Sequence, residues 1–470
     1  MSILKAPAAD QAMLQALSSL FGQRVSARTT DRMIYHRDLY PGAQLTVRSG
    51  DIVYWPDAIV WPETVQDVAS LLRLANERKF PVLPCGGGSS VVGGVMPTRG
   101  GVICDMKRMK RLVRLDEKSL LVTAEAGIIG EDLERHLNEA GYTLGHFPSS
   151  IYCSTLGGWL ATRAAGQMST KYGKIEDMVI SIEAVLPSGR VIQTKLTPRS
   201  ATGPDIDQVI VGSEGTLAVI TRATLRIHRL PETRRFMATT FSSLEQGLEA
   251  VRLIMRAGVR PAVVRLYDEV DTALALSSMG LEVDGNLLIL GFEGRRRIVE
   301  TEMAMASRYL TEGEDLGESP GEWWYAHRYK VSYKQSLILA GSHMVLDTCE
   351  VVGSWTDILN VYHAVKQALD GYVTVLAHFS HAYPNGINIY FSFIGDAGEQ
   401  PPVPFYEEMW RRAMDAVVET GGSISHHHGI GLLKAAWLKK ELGPLFDVFV
   451  GVKRELDPNN ILNPGKMGLP

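Results

Sequence analysis

The feature that most constrains this chain is a run of three glycines, residues 86–88, placed directly after a short apolar segment that reads as a β-strand. Three consecutive residues without a Cβ let the backbone adopt left-handed angles and turn several N–H groups towards one anion, and the two serines that follow add hydroxyl donors. The spacing matches neither the GxGxxG dinucleotide pattern nor a phosphate loop with its lysine. The sequence therefore predicts a strand, helix and strand unit, and the glycines at its end form either a loop suited to a pyrophosphate or a plain turn.

A second glycine-bearing segment, residues 212–218, precedes a predicted strand and again combines closely approaching backbone with hydroxyl groups. Taken alone, it is better explained as a β-turn in which Gly215 supplies a positive φ. Between the two segments, residues 147–180 are unusually rich in small and hydroxyl side chains. That density exceeds what packing needs, and it indicates backbone pressed against a ligand.

The apolar pattern divides the chain into an N-terminal helical segment (1–50), an α/β domain (51–231), an antiparallel-sheet domain covered by helices (232–434) and a helical tail that returns to the first domain (435–470). A surface helix is predicted over residues 9–22, and the forty residues after it read as irregular. One long alternating strand is predicted over residues 217–232. Helices of the second domain are predicted over residues 243–257, 297–309, 355–369 and 404–419.

Composition excludes several classes of function. With 45% apolar and 21% charged residues the chain should fold throughout, and a formal net charge of -4 offers no general attraction to nucleic acid or to an anionic membrane. The four cysteines are widely spaced and form no CxxC pair, so neither a zinc site nor a disulfide framework is indicated. No transmembrane stretch or signal peptide is recognised, so a cytoplasmic enzyme is expected.

Four ordered motifs resemble the FAD-binding domain of the vanillyl-alcohol oxidase superfamily, which has the PCMH-type fold: PCGGGSS, SSIYCSTLGGWLATRAAG, YGKIEDMV and TGPDIDQVIVGSEGTLAVITRATLRI. Within it, the chain is most similar to the alkyldihydroxyacetonephosphate synthases, because the second half adds DTCEVVGSW, INIYFSF and GGSISHHHGIGLLKAAWL. The resemblance implies an α+β protein in which two α/β subdomains bind FAD and an antiparallel-sheet cap, covered by helices, lies over the isoalloxazine ring.

The resemblance also assigns FAD contacts to four stretches of the chain. They are Pro84, Cys85, Gly86, Gly87, Gly88, Ser89, Ser90, Ser149, Ser150, Ser154, Thr155, Gly157, Gly158, Thr162, Arg163, Ala164, Gly212, Ser213, Glu214, Gly215, Thr216, Leu217 and Ala218. No histidine follows the glycines of the first loop, where some relatives attach the flavin covalently. FAD is therefore expected to be bound noncovalently.

A tyrosine and three consecutive histidines are the candidates for the chemistry at the flavin. Reactions at flavin N5 need a nearby group that takes a proton while the ring accepts electrons or a bond. Tyr390 falls on the family's active-site tyrosine, and His426, His427 and His428 fall on a triplet that lines its substrate pocket. The structural alternatives are a half-buried strand tyrosine and an exposed loop that happens to carry histidines.

The cations and metal ligands of related enzymes are only partly present. Arg328 matches an upstream arginine of the family, but Gln335 stands where the family carries a second arginine near the flavin. Lys330 or Lys334 is the available replacement for that cation. A metal site made of His378 or His381 with the triplet is not expected, because the stretch AYPNGINIY lacks the second histidine of the metal-binding relatives.

Two reactions remain open. The first, and the sequence-based prediction, is an FAD-dependent oxidoreductase that moves hydride from the hydroxyl-bearing carbon of an alcohol or 2-hydroxy acid onto flavin N5, with Tyr390 or a triplet histidine as base. The second is a synthase that exchanges the acyl group of acylated dihydroxyacetone phosphate for a fatty alcohol through a flavin adduct, without net redox change. Gln335 and the tail NNILNPGKM favour the first. Both predict a small hydroxyl-bearing substrate, lipidic in the second case, and leave a homodimer open.

Overall fold

The computed structural model describes residues 6–48, 50, 52–281, 283–330 and 343–470. Sheets of four, five and two strands are built from the first half of the chain, and a seven-stranded sheet is built from the second half. None of the helices in these ranges is both long enough and apolar enough to cross a bilayer. The arrangement is the α+β architecture that the sequence predicts.

The first sheet has four strands, in the order Val25–Ser26, Ala58–Val60, Val102–Asp105 and Val82–Cys85. The last three are parallel, so the glycines that follow Cys85 lie at the carboxyl edge of the sheet, where such sheets bind ligands. The helix Val65–Arg78 packs on this sheet with Val68, Leu71 and Leu72 buried. It begins at a capping box, in which Thr64 and Asp67 each accept the other's backbone N–H.

The second sheet is antiparallel, in the order Leu112–Asp116, Leu121–Glu125, Val219–Arg226, Val179–Val185 and Val191–Gln193. The prediction of one strand through residue 232 is wrong. Arg226 pairs with Leu121, where the neighbouring strand begins, so no ladder partner exists beyond it. The chain pairs instead as a separate strand, His228–Arg229, with Tyr142–Thr143. Short helices complete this domain: Gly130–Glu139, Leu156–Thr162, Ser169–Tyr172, Ile175–Met178 and Ile206–Ile210.

The seven-stranded cap sheet is antiparallel, in the order Glu314–Gly317, Thr233–Phe241, Asn286–Gly294, Val263–Tyr267, Thr374–Tyr383, Gly386–Asp396 and Met344–Ser354. The four predicted helices are found with ends shifted by a few residues, as Leu244–Arg256, Arg296–Ala306, Ile358–Ala368 and Pro402–Glu419. Two further helices, Glu269–Met279 and Ser319–His327, belong to the same half of the chain. The strand register places His378, Tyr390 and Glu350 opposite one another on three neighbouring strands.

The N-terminal segment forms more structure than predicted. The surface helix runs over Gln11–Phe21, but the stretch expected to be irregular contains the helices Thr29–Ile34 and Pro41–Arg48. The second of these buries Leu45 in the core of the cap, and Tyr40 beside it packs on Tyr406 at 6.0 Å between ring centroids. These helices are too short to show a periodic pattern, and tertiary contacts stabilise them: Pro41–Arg48 packs on the cap, and Arg32 of Thr29–Ile34 donates to the carbonyls of Pro56 and Pro7.

The C-terminal segment packs against the first sheet. After the helices Ala435–Leu442 and Leu445–Leu456, the chain forms a parallel bridge between Leu462 and Val82. The Asn463 side chain then donates to the carbonyl oxygens of Gly94 and Glu214, at 2.9 and 2.7 Å, and Lys466 donates to the Met96 carbonyl at 2.7 Å. The tail is therefore part of the domain that carries the glycine loop.

Candidate active site

A cavity of about 880 Å³ lies between the first two sheets and the cap sheet. The lining residues between positions 84 and 220 form what we call the glycine wall. Those between positions 265 and 428 form the cap wall. The two walls differ in chemistry, because the first consists mainly of backbone, hydroxyl and small apolar groups and the second carries histidines, arginines and a tyrosine.

The glycine loop is shaped by its contact with residues 153–155. A Cβ on Gly87 would lie 1.9 Å from the carbonyl oxygen of Cys153, and one on Gly86 would lie 2.1 Å from the Thr155 hydroxyl, so no side chain fits at either position. Within the described part of the chain, the backbone N–H groups of Gly87 and Ser89 donate to no backbone acceptor. Such groups beside a cavity are ready to bind an anion.

Most of the predicted cofactor residues line the cavity. These are Pro84, Cys85, Gly86, Gly87, Gly88, Ser89, Ser90, Ser149, Ser150, Ser154, Thr155, Gly157, Gly158, Thr162, Ala164, Ser213, Glu214, Gly215 and Ala218. Four others, Arg163, Gly212, Thr216 and Leu217, are not part of the lining. The structure therefore brings parts of all four predicted stretches together on one wall.

Arg163 supports the glycine wall from behind. It has a positive φ of 51° at the end of the helix Leu156–Thr162, and its guanidinium donates to the carbonyls of Val211 and Gln208 at 3.1 and 2.9 Å. Gly212 packs directly against it. Thr216 and Leu217 are buried in the domain core. The glycine-rich segment 212–218 is thus held in place partly by residues that do not face the cavity.

The three consecutive histidines wrap around one buried carboxylate, Glu350. One of its oxygens accepts the backbone N–H groups of His426, His427 and His428 at 3.2, 3.2 and 2.8 Å. The other oxygen accepts Lys434 Nζ at 2.7 Å. Burial opposes ionisation, but the interactions of the carboxylate with His428 and Lys434 outweigh it and hold the pKa of Glu350 well below its usual range. Glu350 lies inside the motif DTCEVVGSW, where an acid in an apolar strand is the signal that sequence reasoning missed.

Glu350 also fixes the orientation of His428. His428 Nδ1 lies 3.0 Å from the second Glu350 oxygen, which can only accept, so Nδ1 carries the proton. Nε2 then has a free lone pair, and the ring lines the cavity. This pairing of a carboxylate with an imidazole is the arrangement used to orient a general base.

His426 lies behind the wall, whereas His427 and His381 line the cavity. His426 bonds to Tyr383 Oη at 2.7 Å and to His427 Nδ1 at 2.9 Å, and His381 Nδ1 bonds to Ser169 Oγ at 2.6 Å. Burial, followed by the charge of Lys174, lowers the pKa of His426 to about 3. One ring nitrogen from each of His381, His426 and His427 lies within 4.8 Å of the others, close enough to share a metal ion. The absence of a metal therefore stays a prediction, to be checked by metal analysis of purified protein.

Tyr390 stands between the histidines of the cap wall. Its ring stacks on His378 at 4.9 Å and on His427 at 6.2 Å between centroids, and its hydroxyl donates to Thr348 Oγ1 at 3.0 Å. Burial raises the pKa of Tyr390 to about 12. A phenol with this pKa is protonated near neutral pH, which favours a hydrogen-bonding role for Tyr390, and the choice between Tyr390 and a triplet histidine as base stays a prediction.

Arg265 is a cation on the cap wall that sequence reasoning missed. Its Nη2 lies 2.9 Å from His378 Nε2, and its Nε donates to Tyr267 Oη at 2.8 Å. Because a guanidinium only donates, His378 accepts through Nε2 and donates through Nδ1 to Asp271 at 3.2 Å. Burial, followed by the charge of Arg265, lowers the pKa of His378 to about 4. A charged residue within the apolar strand Val263–Tyr267 was the available signal.

Arg328, which the sequence predicts, lines the same cavity. Its guanidinium packs on the ring of Tyr325, with 3.7 Å between Cζ and the ring centroid, and on that of Tyr329 at 4.4 Å. Its Nε is buried and has no partner among the described residues. Gln335 and Lys334 lie outside the described residues, and Lys330 is not part of the lining.

One part of the cavity lining is apolar. It is formed by Leu274, Ala275 and Met279 of the helix Glu269–Met279 and by Trp323 and Trp324 of the helix Ser319–His327. Leu274 is 57% exposed, so this part of the lining reaches the surface. A chain-like apolar group can occupy it while a polar group reaches the histidines.

Comparison with known proteins finds matches to FAD-binding families over most of the chain. Residues 56–195 match the FAD binding domain, and residues 230–467 match the C-terminal domain of FAD linked oxidases. The alkyldihydroxyacetonephosphate synthase of Trypanosoma brucei brucei is 34% identical, over 92% of this chain and 75% of that protein. The FAD-linked oxidoreductase YgcU of Escherichia coli (strain K12) is 33% identical, over 87% of this chain and 88% of that protein. A solved alkyldihydroxyacetonephosphate synthase structure is 29% identical and superposes with a TM-score of 0.84, over 99% of this chain and 88% of that one.

The glycine wall fits the FAD group that these matches imply. The side-chain-free loop at Gly86 and Gly87, the unpaired N–H groups beside it and the hydroxyls of Ser89 and Ser149 suit a pyrophosphate. Ile220 adds apolar surface to the same wall, which suits a flat ring. The wall thus offers both kinds of contact that a flavin dinucleotide needs.

Proposed function

The chain belongs to the FAD-linked oxidases of the PCMH-type fold and binds FAD, and we propose that it exchanges an acyl for an alkyl group on a phosphate-bearing substrate, as an alkyldihydroxyacetonephosphate synthase does. When bound, FAD supplies an electrophilic N5 that can accept hydride or a bond to carbon. The observation that carries the proposal is Arg265, a cation on the cap wall of the cavity, because a phosphate-bearing substrate needs one.

Arg265 changes the argument drawn from Gln335. The replacement at Gln335 suggested that a cation for phosphate is missing, but Arg265 and Arg328 both line the cavity. Only part of the Arg265 fork is used by Tyr267 and His378, which leaves N–H groups for a phosphate oxygen. The cap wall can therefore bind an anion next to its histidines.

The apolar part of the lining supports a substrate with an alkyl chain. Leu274, Met279 and Trp323 lie on two helices of the cap, and the same cavity extends to Arg265 and Tyr390. Burial of a methylene chain along such a surface contributes about 0.8 kcal/mol per CH₂. A fatty alcohol, or an acyl chain that leaves as a carboxylate, meets this requirement.

Different residues of the cap wall accept the proton and bind the substrate oxygens in the proposed reaction. We assign to His428 Nε2 the role of accepting the proton of the incoming alcohol, while Glu350 stabilises the charged ring. Tyr390 and Arg265 hydrogen-bond to oxygen atoms of the substrate. In the exchange, the carbon–oxygen bond to the acyl group breaks, the bond to the alcohol oxygen forms, and the acyl group leaves as a carboxylate, so no electrons are gained or lost.

Hydride removal from an alcohol or 2-hydroxy acid, the sequence-based prediction, is the second candidate. The oriented base at His428 serves it equally well, and the match to the Escherichia coli oxidoreductase supports it. The tail no longer favours it, because Asn463 and Lys466 contact backbone oxygens of the first domain and do not line the cavity. Gln335 lies outside the described residues.

One experiment separates the two candidates. The FAD-loaded protein is mixed without oxygen or electron acceptor with acylated dihydroxyacetone phosphate and a long-chain alcohol, and the products are measured by mass spectrometry. If the proposal is right, ether product and free fatty acid form in equal amounts, and the absorbance spectrum after turnover is still that of oxidised flavin. Loss of flavin absorbance on addition of an alcohol or hydroxy acid, without ether product, would show that the protein is an oxidoreductase.

Two further expectations belong with this proposal. Residues 84–90 contain no histidine, so FAD should be held noncovalently, and acid precipitation should release all of the flavin. We also propose a cytoplasmic location and leave a homodimer as the option to be tested by light scattering.

A further inference from the structure

Glu214, counted by sequence reasoning among the cofactor contacts, makes its main contacts with the cap. Its two carboxylate oxygens accept the backbone N–H groups of Ile430 and Gly431, at 2.6 and 2.9 Å. Ile430 is two residues after His428, with Gly429 between them. The side chain is only 6% exposed, and its carboxylate therefore links the glycine wall to the loop that carries the histidines.

The backbone on both sides is adapted to this contact. Glu214 has a φ of 50°, a left-handed conformation that a glutamate rarely adopts. Gly429 has a φ of 87°, and a Cβ at that position would lie 2.8 Å from a Glu214 carboxylate oxygen. A strained residue that persists in a fold is held there by its surroundings, and such residues cluster at functional sites.

Two carboxylates therefore hold the same loop from opposite sides. Glu350, on the cap sheet, accepts N–H groups of residues 426–428, and Glu214, on the glycine wall, accepts those of residues 430 and 431. Val92, next to the glycine loop, adds its carbonyl oxygen as acceptor for Leu432 and Leu433. His428 lies between the two carboxylates, so its distance from the glycine wall depends on Glu214.

We propose that Glu214 is a positioning residue that sets His428 at working distance from the flavin site, and not a residue whose main role is to bind FAD. The inference rests on the proposed function, because it takes His428 to be the base. Burial raises the pKa of Glu214 to about 7, while the Ile430 and Gly431 amides, Lys466 and Lys434 act in the opposite direction. An ionised carboxylate is the form that accepts both amides.

Glu214→Gln tests this role without changing side-chain size. A glutamine can accept one of the two amides, but its own NH₂ group faces the other N–H, so the loop loses one hydrogen bond and gains a repulsive contact. The matched control is Glu134→Gln. Glu134 also accepts a backbone N–H, that of Leu144 at 3.0 Å, but it lies within the first half of the chain and does not line the cavity.

Four quantities are measured on the FAD-loaded proteins: the Kd for FAD, kcat, KM and hydrogen–deuterium exchange of residues 426–431. For Glu214→Gln we expect kcat to fall about 10- to 100-fold, amide exchange in the loop to become faster, and KM and the Kd for FAD to change less than about twofold. Glu134→Gln should keep the wild-type kcat and loop exchange. Glu214→Asp, which keeps the charge but is one methylene shorter, replaces Glu214→Gln should the latter fail to fold, with the same expectation.

Three outcomes would overturn the proposal. These are unchanged exchange in the loop, a loss of FAD affinity that matches the loss of kcat, and an equal loss of kcat in Glu134→Gln. The exchange measurement needs no substrate. Faster loop exchange in Glu214→Gln, combined with a wild-type protein that forms no ether product, therefore shows that the proposed reaction is wrong while the role of Glu214 in placing the loop stands.

Discussion

The two walls of the cavity present different kinds of chemical groups to its interior. The glycine wall faces the cavity mainly with backbone, hydroxyls and small side chains, and much of it comes from short contiguous stretches of sequence. The cap wall faces it with ionisable side chains, several of which are held by a partner from another part of the chain, as Glu350 holds His428 and His378 holds Arg265. The shape of the glycine wall depends on residues that lack large side chains, whereas that of the cap wall depends on pairs of interacting side chains.

This difference separates binding from chemistry. A wall made of backbone can hold a cofactor but offers few groups that exchange protons, whereas His428 with Glu350 can move a proton only if both are held in place. Damage to the glycine wall should therefore remove the cofactor, and damage to the cap wall should remove turnover while the cofactor stays. Of the four predictions that follow, from the largest expected effect to the smallest, the first three test this division and the last tests the stability of the domain behind the glycine wall.

Gly87→Ala should abolish cofactor binding. The new Cβ would lie 1.9 Å from the Cys153 carbonyl oxygen, which is backbone and cannot move aside without displacing the whole segment. The purified variant should be colourless, with no flavin absorbance and no turnover. Gly451→Ala is the control, because a Cβ there meets nothing within 4 Å, and it should bind FAD normally. A yellow, active Gly87→Ala protein would contradict the account of the glycine wall.

His428→Gln should keep the flavin but lose turnover. Removal of a general base typically lowers rates by about 10²- to 10⁴-fold, and glutamine has no basic lone pair at the Nε2 position. Steady-state kinetics of the FAD-loaded variant gives kcat, and its absorbance spectrum gives the flavin content. The exposed His363 provides the control, since His363→Gln should behave as wild type. Wild-type kcat in His428→Gln would remove that residue from the mechanism.

Arg265→Gln should weaken binding of an anionic substrate. A hydrogen bond to a charged group contributes about 1.5–3 kcal/mol, so KM for a phosphate-bearing substrate should rise about 10- to 100-fold, with a smaller change in kcat. Arg265→Lys keeps the positive charge but loses the two-pronged guanidinium, so its KM should lie between those of the wild type and Arg265→Gln. The comparison is a substrate analogue without the phosphate, for which the wild type and both variants should give the same KM. A uniform loss on both substrates would point to misfolding of the wall.

His146→Phe should change stability in acid. His146 is 1% exposed, neither ring nitrogen has a partner among the described residues, and it packs edge-on against Trp159. Burial, with the charge of Lys174, lowers the pKa of His146 to about 3.

The unfolded chain takes up a proton on His146 below pH 6.5 and the folded chain does not, so the free energy of unfolding falls as the pH drops from 6.5 towards 3. At pH 5 we expect a loss of about 2 kcal/mol from this group, and His146→Phe should remove it. Urea unfolding at pH 7.5 and pH 5 measures the difference, with His136→Phe on the surface as control. An identical acid loss in His146→Phe and wild type would show that the ring is protonated in the fold.

The two walls also differ in how well the sequence predicts them. The glycine wall was accessible because its signals are local: three glycines after a strand, a second glycine turn and a hydroxyl-rich run. The histidine triplet stood out in the sequence because three consecutive histidines serve no packing pattern, whereas Tyr390 was found only through a family resemblance. Glu350 and Arg265 were missed, because the value of an acid or a cation within an apolar strand depends on its neighbours.

Strand register is the physical reason. The register places Glu350 opposite Tyr390 and Tyr390 opposite His378, because the strand Gly386–Asp396, the last of the three in the chain, lies between the other two in the sheet. Period-two alternation tells which residues share a face of one strand, but not which strand lies beside it. The short helix Pro41–Arg48 was missed for a similar reason, since Leu45 is buried only because the cap packs on it.

The bridge between Leu462 and Val82 has a consequence for how the protein is made. The strand Val82–Cys85, which leads into the glycine loop, lies at the edge of its sheet until Ile461 and Leu462 arrive beside it. A ribosome adds about 5–20 residues per second, so the hydrogen-bonding groups of this edge stay unpaired while the whole intervening part of the chain is synthesised. A translation product that stops before Ile461 would leave the cofactor loop on an open sheet edge, which is the kind of edge that pairs with other chains and aggregates.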